Sequence, residues 1–115
     1  MQKSAFGSNK LLETLGEIQA KLNSGFAFQA ERIAFQTLEN YQNTPDAKAL
    51  LICQISAAYI RQGRFNDSLE ILQDIANDGF TDTLEAENQA SVLTQSGIAH
   101  VLNRDSKKAI NFLNK

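Results

Sequence analysis

Side-chain catalysis needs a nucleophile, a proton donor or acceptor, or a bound metal held in concert, and this chain supplies few of those parts. It has one histidine, His100, and one cysteine, Cys53. A base with no nucleophile beside it does no chemistry, and neither residue has a second His or Cys to complete a metal site. Cys53 lies among Ile52, Gln54 and Ile55, with Arg61 as the cation it could draw on, and reads as a small buried hydrophobe. Glu13 and Glu17 form a carboxylate pair at helical spacing, but with Lys10 and Lys21 beside them they read as a solvated helix face. The expectation is therefore a protein that is not an enzyme, with no catalytic residue, no metal and no cofactor.

The elements that would position any site follow from composition and periodicity. The 115 residues are 43% hydrophobic and 21% charged, with one Pro, enough for one core and one domain over 1–115. A net charge of -2 gives no general pull toward nucleic acid or an anionic membrane, and the basic cluster Arg104, Lys107 and Lys108 is small and has no aromatic platform. No apolar run approaches the roughly 20 residues of a membrane span. The N-terminal stretch lacks the apolar core of a signal peptide, and an unpaired cysteine suits a reducing compartment, so a cytoplasmic protein is expected.

Apolar residues recur at helical steps almost throughout. Leu11, Leu15, Ile18 and Leu22 predict a helix over about 10–23, broken at Gly25; Ala30, Ile33, Ala34 and Leu38 predict the next. Thr44 at the cap, Pro45 in the first turn and Asp46 beside the positive helix end predict a helix over about 45–62. Gly63 ends it, and Phe65, Leu69, Leu72 and Ile75 carry another to about 77. After a turn at Asn77, Asp78 and Gly79, capping residues Thr81, Asp82 and Glu85 open a helix through Leu84, Val92, Leu93, Ile98 and Leu102. Asp105 caps a last one through Ala109, Ile110, Phe112 and Leu113. The fold class predicted is all-α, six helices in three antiparallel pairs over about 10–41, 45–77 and 82–114.

The middle pair carries a repeat signature. Tyr59, Gly63, Phe65, Ser68, Leu72 and Ile75 give aromatic, turn glycine, aromatic, small residue and two large apolars at fixed steps, which resembles the tetratricopeptide repeat. There the glycine ends the first helix and the small residue lets the second approach closely. The last pair matches at Gly97, Ala109, Leu93 and Leu113, with His100 replacing the aromatic and Arg104 the turn glycine; the first matches at Gly25 and Ala30, with Lys21 at the aromatic position. Repeat spacings come to about 38 and 41 residues against the usual 34. An ordinary helical bundle is the alternative.

The resemblance implies a short right-handed solenoid whose first helices line a concave, mostly apolar groove. Its residues would be Leu12, Leu15, Gln19 and Leu22; then Leu50, Cys53, Ala57, Ile60 and Arg61; then Thr94, Ile98, Val101 and Leu102. For a clamp on a charged peptide end only Asn23 and Arg61 are suited, so the lining favours an amphipathic helix instead. Some of the thirteen could equally be core between helices.

Within the repeat class, the stretch from Ala47 to Phe65, an apolar helix followed by Gln62, Gly63, Arg64 and an aromatic, is similar to the middle repeat of the type III secretion needle-subunit chaperones of the YscG/PscG group. Ala30, Glu31, Arg32, Ile33 and Ala34 resemble that group's second helix. The resemblance implies a cytoplasmic chaperone that holds the amphipathic C-terminal helix of the needle subunit and keeps it monomeric, with a second small helical co-chaperone on the N-terminal repeat. A generic adaptor of the same class for another helical or peptide partner, or a piece of a longer scaffold, are the alternatives.

Two surface features complete the reading. Asp67, Glu70, Asp74, Asp78, Asp82, Glu85 and Glu87 run without an intervening Lys or Arg and predict an exposed acidic stripe that serves solubility. Ile110, Phe112 and Leu113 leave apolar surface where a solenoid ordinarily places a polar cap, so a partner, a folded-back helix or a dimer is expected there.

Overall fold

In a computed structural model, the backbone is described for residues 2–77 and 86–113 and side-chain surroundings for 10–73, 90–104 and 107. Among the described residues five helices follow one another, with no strand: α1 (Gln2–Asn23), α2 (Ala27–Leu38), α3 (Pro45–Arg61), α4 (Phe65–Asn77) and α5 (Ala86–Leu113). The all-α expectation holds, and four of the predicted helices have close counterparts. Two details differ. The first helix starts at Gln2 rather than near 10. Thr44 occupies the cap position of α3 in an extended conformation, but its side chain makes no capping hydrogen bond, so Pro45 and Asp46 carry the start signal.

The larger correction concerns the count. The predicted break between a fifth and a sixth helix is absent, because α5 runs unbroken through Arg104 and Asp105. The two turns that do form explain why. Gly25 and Gly63 have φ of 86° and 77°, the left-handed region that a residue with a Cβ enters only at a cost. Each completes a Schellman motif. Phe26 N–H donates to the Lys21 carbonyl (2.8 Å) and Gly25 N–H to that of Leu22 (3.2 Å); Arg64 N–H donates to the Tyr59 carbonyl (2.8 Å) and Gly63 N–H to that of Ile60 (3.0 Å). Arg104 stands where a third such glycine would be needed, and the helix continues. The predicted turn and cap at 78–85 lie outside the described residues.

Consecutive helices pack on one another, and α3 also packs against α1 and α5. It is the centre of the fold, so its buried set, Ala47, Ala49, Leu51, Ile52, Ile55, Ser56, Ala58 and Tyr59, spreads round the helix rather than along one stripe. The other helices each present one buried stripe to it: Ile18 and Leu22, then Ala30, Ala34 and Leu38, then Leu69 and Leu72, then Val92 and Ala99. Ala30 and Ser68, the small residues singled out by the repeat, are both fully buried one turn into α2 and α4. A small side chain there lets the second helix of each pair close on its neighbours.

Polar contacts fix the register of these layers. Ser56 and Ser68 hydroxyls share a buried hydrogen bond of 2.5 Å, and Gln95 Nε2 donates to Ser56 Oγ (3.2 Å), tying α3, α4 and α5 together. Gln54 Nε2 donates to the Leu15 carbonyl (2.9 Å), tying α3 to α1. Glu31 on α2 accepts from Gln62 Nε2 (2.8 Å) and Arg64 (3.2 Å), so the first helix pair is stitched to the turn of the second.

Candidate functional site

Helix α5 has two apolar faces. Val92 and Ala99 pack into the core, and Gln95 reaches Ser56 from the same side. On the opposite side Leu93, Gly97 and Val101 form one four-residue ladder and Thr94, Ile98 and Leu102 another, and together they line a shallow recess of about 460 Å³. Leu93 is 66% exposed and Val101 49%, and Ile98 is exposed as well. A helix apolar on both sides normally has neighbours on both sides. Gly97 sits in the middle of this stripe with nothing within 4 Å of the place a Cβ would take. Its missing side chain leaves a dip between Leu93 and Val101 into which a partner's side chain can descend.

A second recess, of about 570 Å³, lies between the two glycine turns. Phe26, Phe28 and Gln29 form one wall at the start of α2; Arg61, Gln62 and Arg64 form the other at the end of α3 and the turn after it. Arg64 is held in place by several contacts. Its Nε donates to Asp67 (2.8 Å), its NH1 nitrogen to Glu31 and to Gln62 Oε1 (both 3.2 Å), and its guanidinium lies 4.3 Å from the Tyr59 ring centroid. The Asp67 hydrogen bond, with Glu31 beside it, raises the Arg64 pKa, so it is a fixed cation. Burial, with Glu31 adding to it, raises that of Tyr59 and keeps the phenol neutral.

The thirteen residues expected to line one groove do not share one environment. Thr94, Ile98, Val101 and Leu102 come together on α5. Arg61 goes to the recess between the turns, beside Phe26 and Phe28. Leu15, Cys53, Ala57 and Ile60 are half-buried and pack against the core, Leu50 is half-buried, and Leu12 and Gln19 are exposed, Gln19 donating to Asn23 Oδ1 (3.0 Å). Leu22 is only 1% exposed and belongs to the core, where it has no surface to offer a client. The reason is that Leu15, Ile18 and Leu22 share one face of α1, and periodicity alone marks a face as apolar without saying what covers it.

Other expectations find their place. His100 is exposed on α5. Burial pushes the Cys53 thiol up to about 11, which suppresses its nucleophilicity at neutral pH, in line with the reading of a small hydrophobe. Glu13, Glu17 and Glu70 are exposed and Asp67 is half-buried and bonded to Arg64; the side chains of Asp74, Glu87, Ile110, Phe112 and Leu113, and residues Asp78, Asp82 and Glu85, lie outside the described set. Among the described residues no group of three or more His, Cys, Asp or Glu could hold a metal ion, and no helix is long and apolar enough to cross a membrane.

Sequence reasoning missed the exposed phenylalanines. Phe26 and Phe28 both follow the Gly25 turn, at the cap and in the first turn of α2 and off its buried stripe, and that placement is the signal that could have singled them out. Compared with protein-family models, with curated proteins and with solved structures, the chain matches none. The arrangement itself offers exposed apolar surface and fixed positive charge.

Proposed function

We propose that this chain is a protein-binding module that takes an amphipathic helix of a partner along the outer face of α5. The observation that carries the reading is the apolar stripe of Leu93, Ile98 and Val101 around Gly97, exposed opposite the core-facing side of the same helix. Two ladders of four-residue step make ridges that fit the groove of another helix, and the opening over Gly97 lets that helix come close. A polar peptide would gain little from such a surface.

The repeat reading draws support from the two Schellman turns, the buried small residues Ala30 and Ser68, and the packing of α1 against α3 and α3 against α5. On it, the stripe is the C-terminal part of a groove. The resemblance of residues 47–65 to the needle-subunit chaperones supplies the first client to try, in the cytoplasm, where free Cys53 stays reduced. A subunit that polymerises through an apolar helix is kept monomeric when that helix is covered.

The test is co-expression with a needle subunit, and separately with a panel of amphipathic helices fused to a solubility tag, followed by size-exclusion chromatography with light scattering. A one-to-one complex lost on Ile98→Asp, with the helical circular dichroism and melting temperature retained, is the expected result. Binding that survives Ile98→Asp and Val101→Asp overturns the α5 site. Binding of other amphipathic helices but not the needle subunit keeps the module and removes that client.

A further inference from the structure

We propose that the recess between the two glycine turns binds an acidic segment of a partner protein that also carries large apolar side chains. It shares no lining residue with the α5 stripe, so it is an independent site. Phe28 is 72% exposed and Phe26 51%, an unusual placement for two phenylalanines two residues apart. They offer more apolar surface than a single side chain covers, which points to a segment rather than one residue at a chain end.

Charge selects which segment. Arg61 faces these rings from the end of α3, is exposed, and makes no hydrogen bond or ion pair among the described residues. Its neighbour Arg64 has its Nε committed to Asp67 and one terminal nitrogen to Glu31 and Gln62. Lys21 adds a further positive charge, its ammonium 5.7 Å from the Phe26 ring centroid. No acid lines the recess, and Glu31, which Gln62 and Arg64 of its wall reach, has its Oε1 taken by those two residues. One uncommitted guanidinium beside two open rings therefore remains, and a guanidinium takes a carboxylate through two parallel hydrogen bonds. About 570 Å³ accommodates that carboxylate together with an aromatic or aliphatic side chain packed on Phe28.

The experiment titrates the full chain with acetyl-Leu-Asp-Gly-Phe-amide, with its Asn counterpart, and with acetyl-Leu-Gly-Phe ending in a free carboxylate, following backbone amide shifts by NMR. The Asp peptide is expected to shift the amides of Gly25, Phe28 and Arg61 and to bind at least about tenfold more tightly than the Asn peptide. Arg61→Gln should erase that difference, and Phe28→Ala should weaken both; the exposure of both residues keeps the melting temperature unchanged. Equal binding of the Asp and Asn peptides, or a difference that persists in Arg61→Gln, overturns the proposal. So does equal or tighter binding of the free-carboxylate peptide, which would give the recess to chain ends.

Discussion

The Arg64 guanidinium lies 4.3 Å from the centroid of the Tyr59 ring, across the turn made by Gly63. The first turn repeats the contact with its partners exchanged: Lys21 lies 5.7 Å from the ring centroid of Phe26, across Gly25. In each Schellman motif the residue three before the cap meets the residue two after it, a contact more often made by two apolar side chains. Here a cation and a ring meet instead, cation first in one turn and ring first in the other. The two turns are thus the same device built from different residues.

Arg64 is the more connected of the two cations, since Glu31 brings α2 into the same cluster. Arg64→Ala should lower the urea midpoint of unfolding more than Lys21→Ala does. Arg64→Lys should fall between them, because an ammonium keeps the charge but not the fork that reaches Asp67 and Glu31 together.

The glycines separate conformational strain from space. Nothing stands within 4 Å of a Cβ at Gly16, Gly25 or Gly63, so only backbone preference differs among them. Gly63→Val and Gly25→Val should each destabilise by about 2 kcal/mol, because both sites need positive φ. Gly16→Ala, inside α1, should stabilise by about 0.5–1 kcal/mol. Chemical denaturation of the three variants checks the signs.

The buried hydroxyl pair should behave non-additively. Ser56→Ala strands Ser68, and Ser68→Ala strands Ser56 on one side, each costing about 1–3 kcal/mol; the double variant should cost clearly less than the sum. Ser56→Ala alone should be the worse single change, because Gln95 also loses its acceptor. A double-mutant cycle by urea unfolding measures the coupling.

Cys53 sets a pH dependence. Burial puts its folded pKa at about 11, above the ordinary thiol value of 9.0, so the unfolded chain releases the thiol proton first as pH rises. Stability from this group is complete below about pH 9 and is lost as pH climbs toward about 11. Unfolding free energy should fall over that interval in the native chain and fall less in Cys53→Val. Iodoacetamide should modify the thiol slowly at pH 7.5 and quickly once urea unfolds the chain.

Much of the fold was legible in the sequence. Pro45 and Asp46 mark where α3 begins, Gly25 and Gly63 mark where α1 and α3 end, and the recurring Leu, Ile and Ala positions give the helices between, because these signals act within a turn or two of the residue that carries them. The end of the chain was misread for the same local reason: Asp105 resembles a cap, but without a glycine at Arg104 nothing forces the backbone out of the helix.

What covers each apolar face was decided only in three dimensions. Leu22 and Ile98 carry the same kind of side chain at the same kind of helical spacing, yet one is sealed by α2 and α3 and the other stands open on α5. Arg61 and Arg64, three residues apart, diverge likewise: Glu31, far away in sequence, commits one and leaves the other to the recess beside Phe26 and Phe28. Helix formation is set by short-range backbone and capping energetics, whereas burial and ion pairing depend on which elements meet, and that is a property of the packed chain rather than of any one segment.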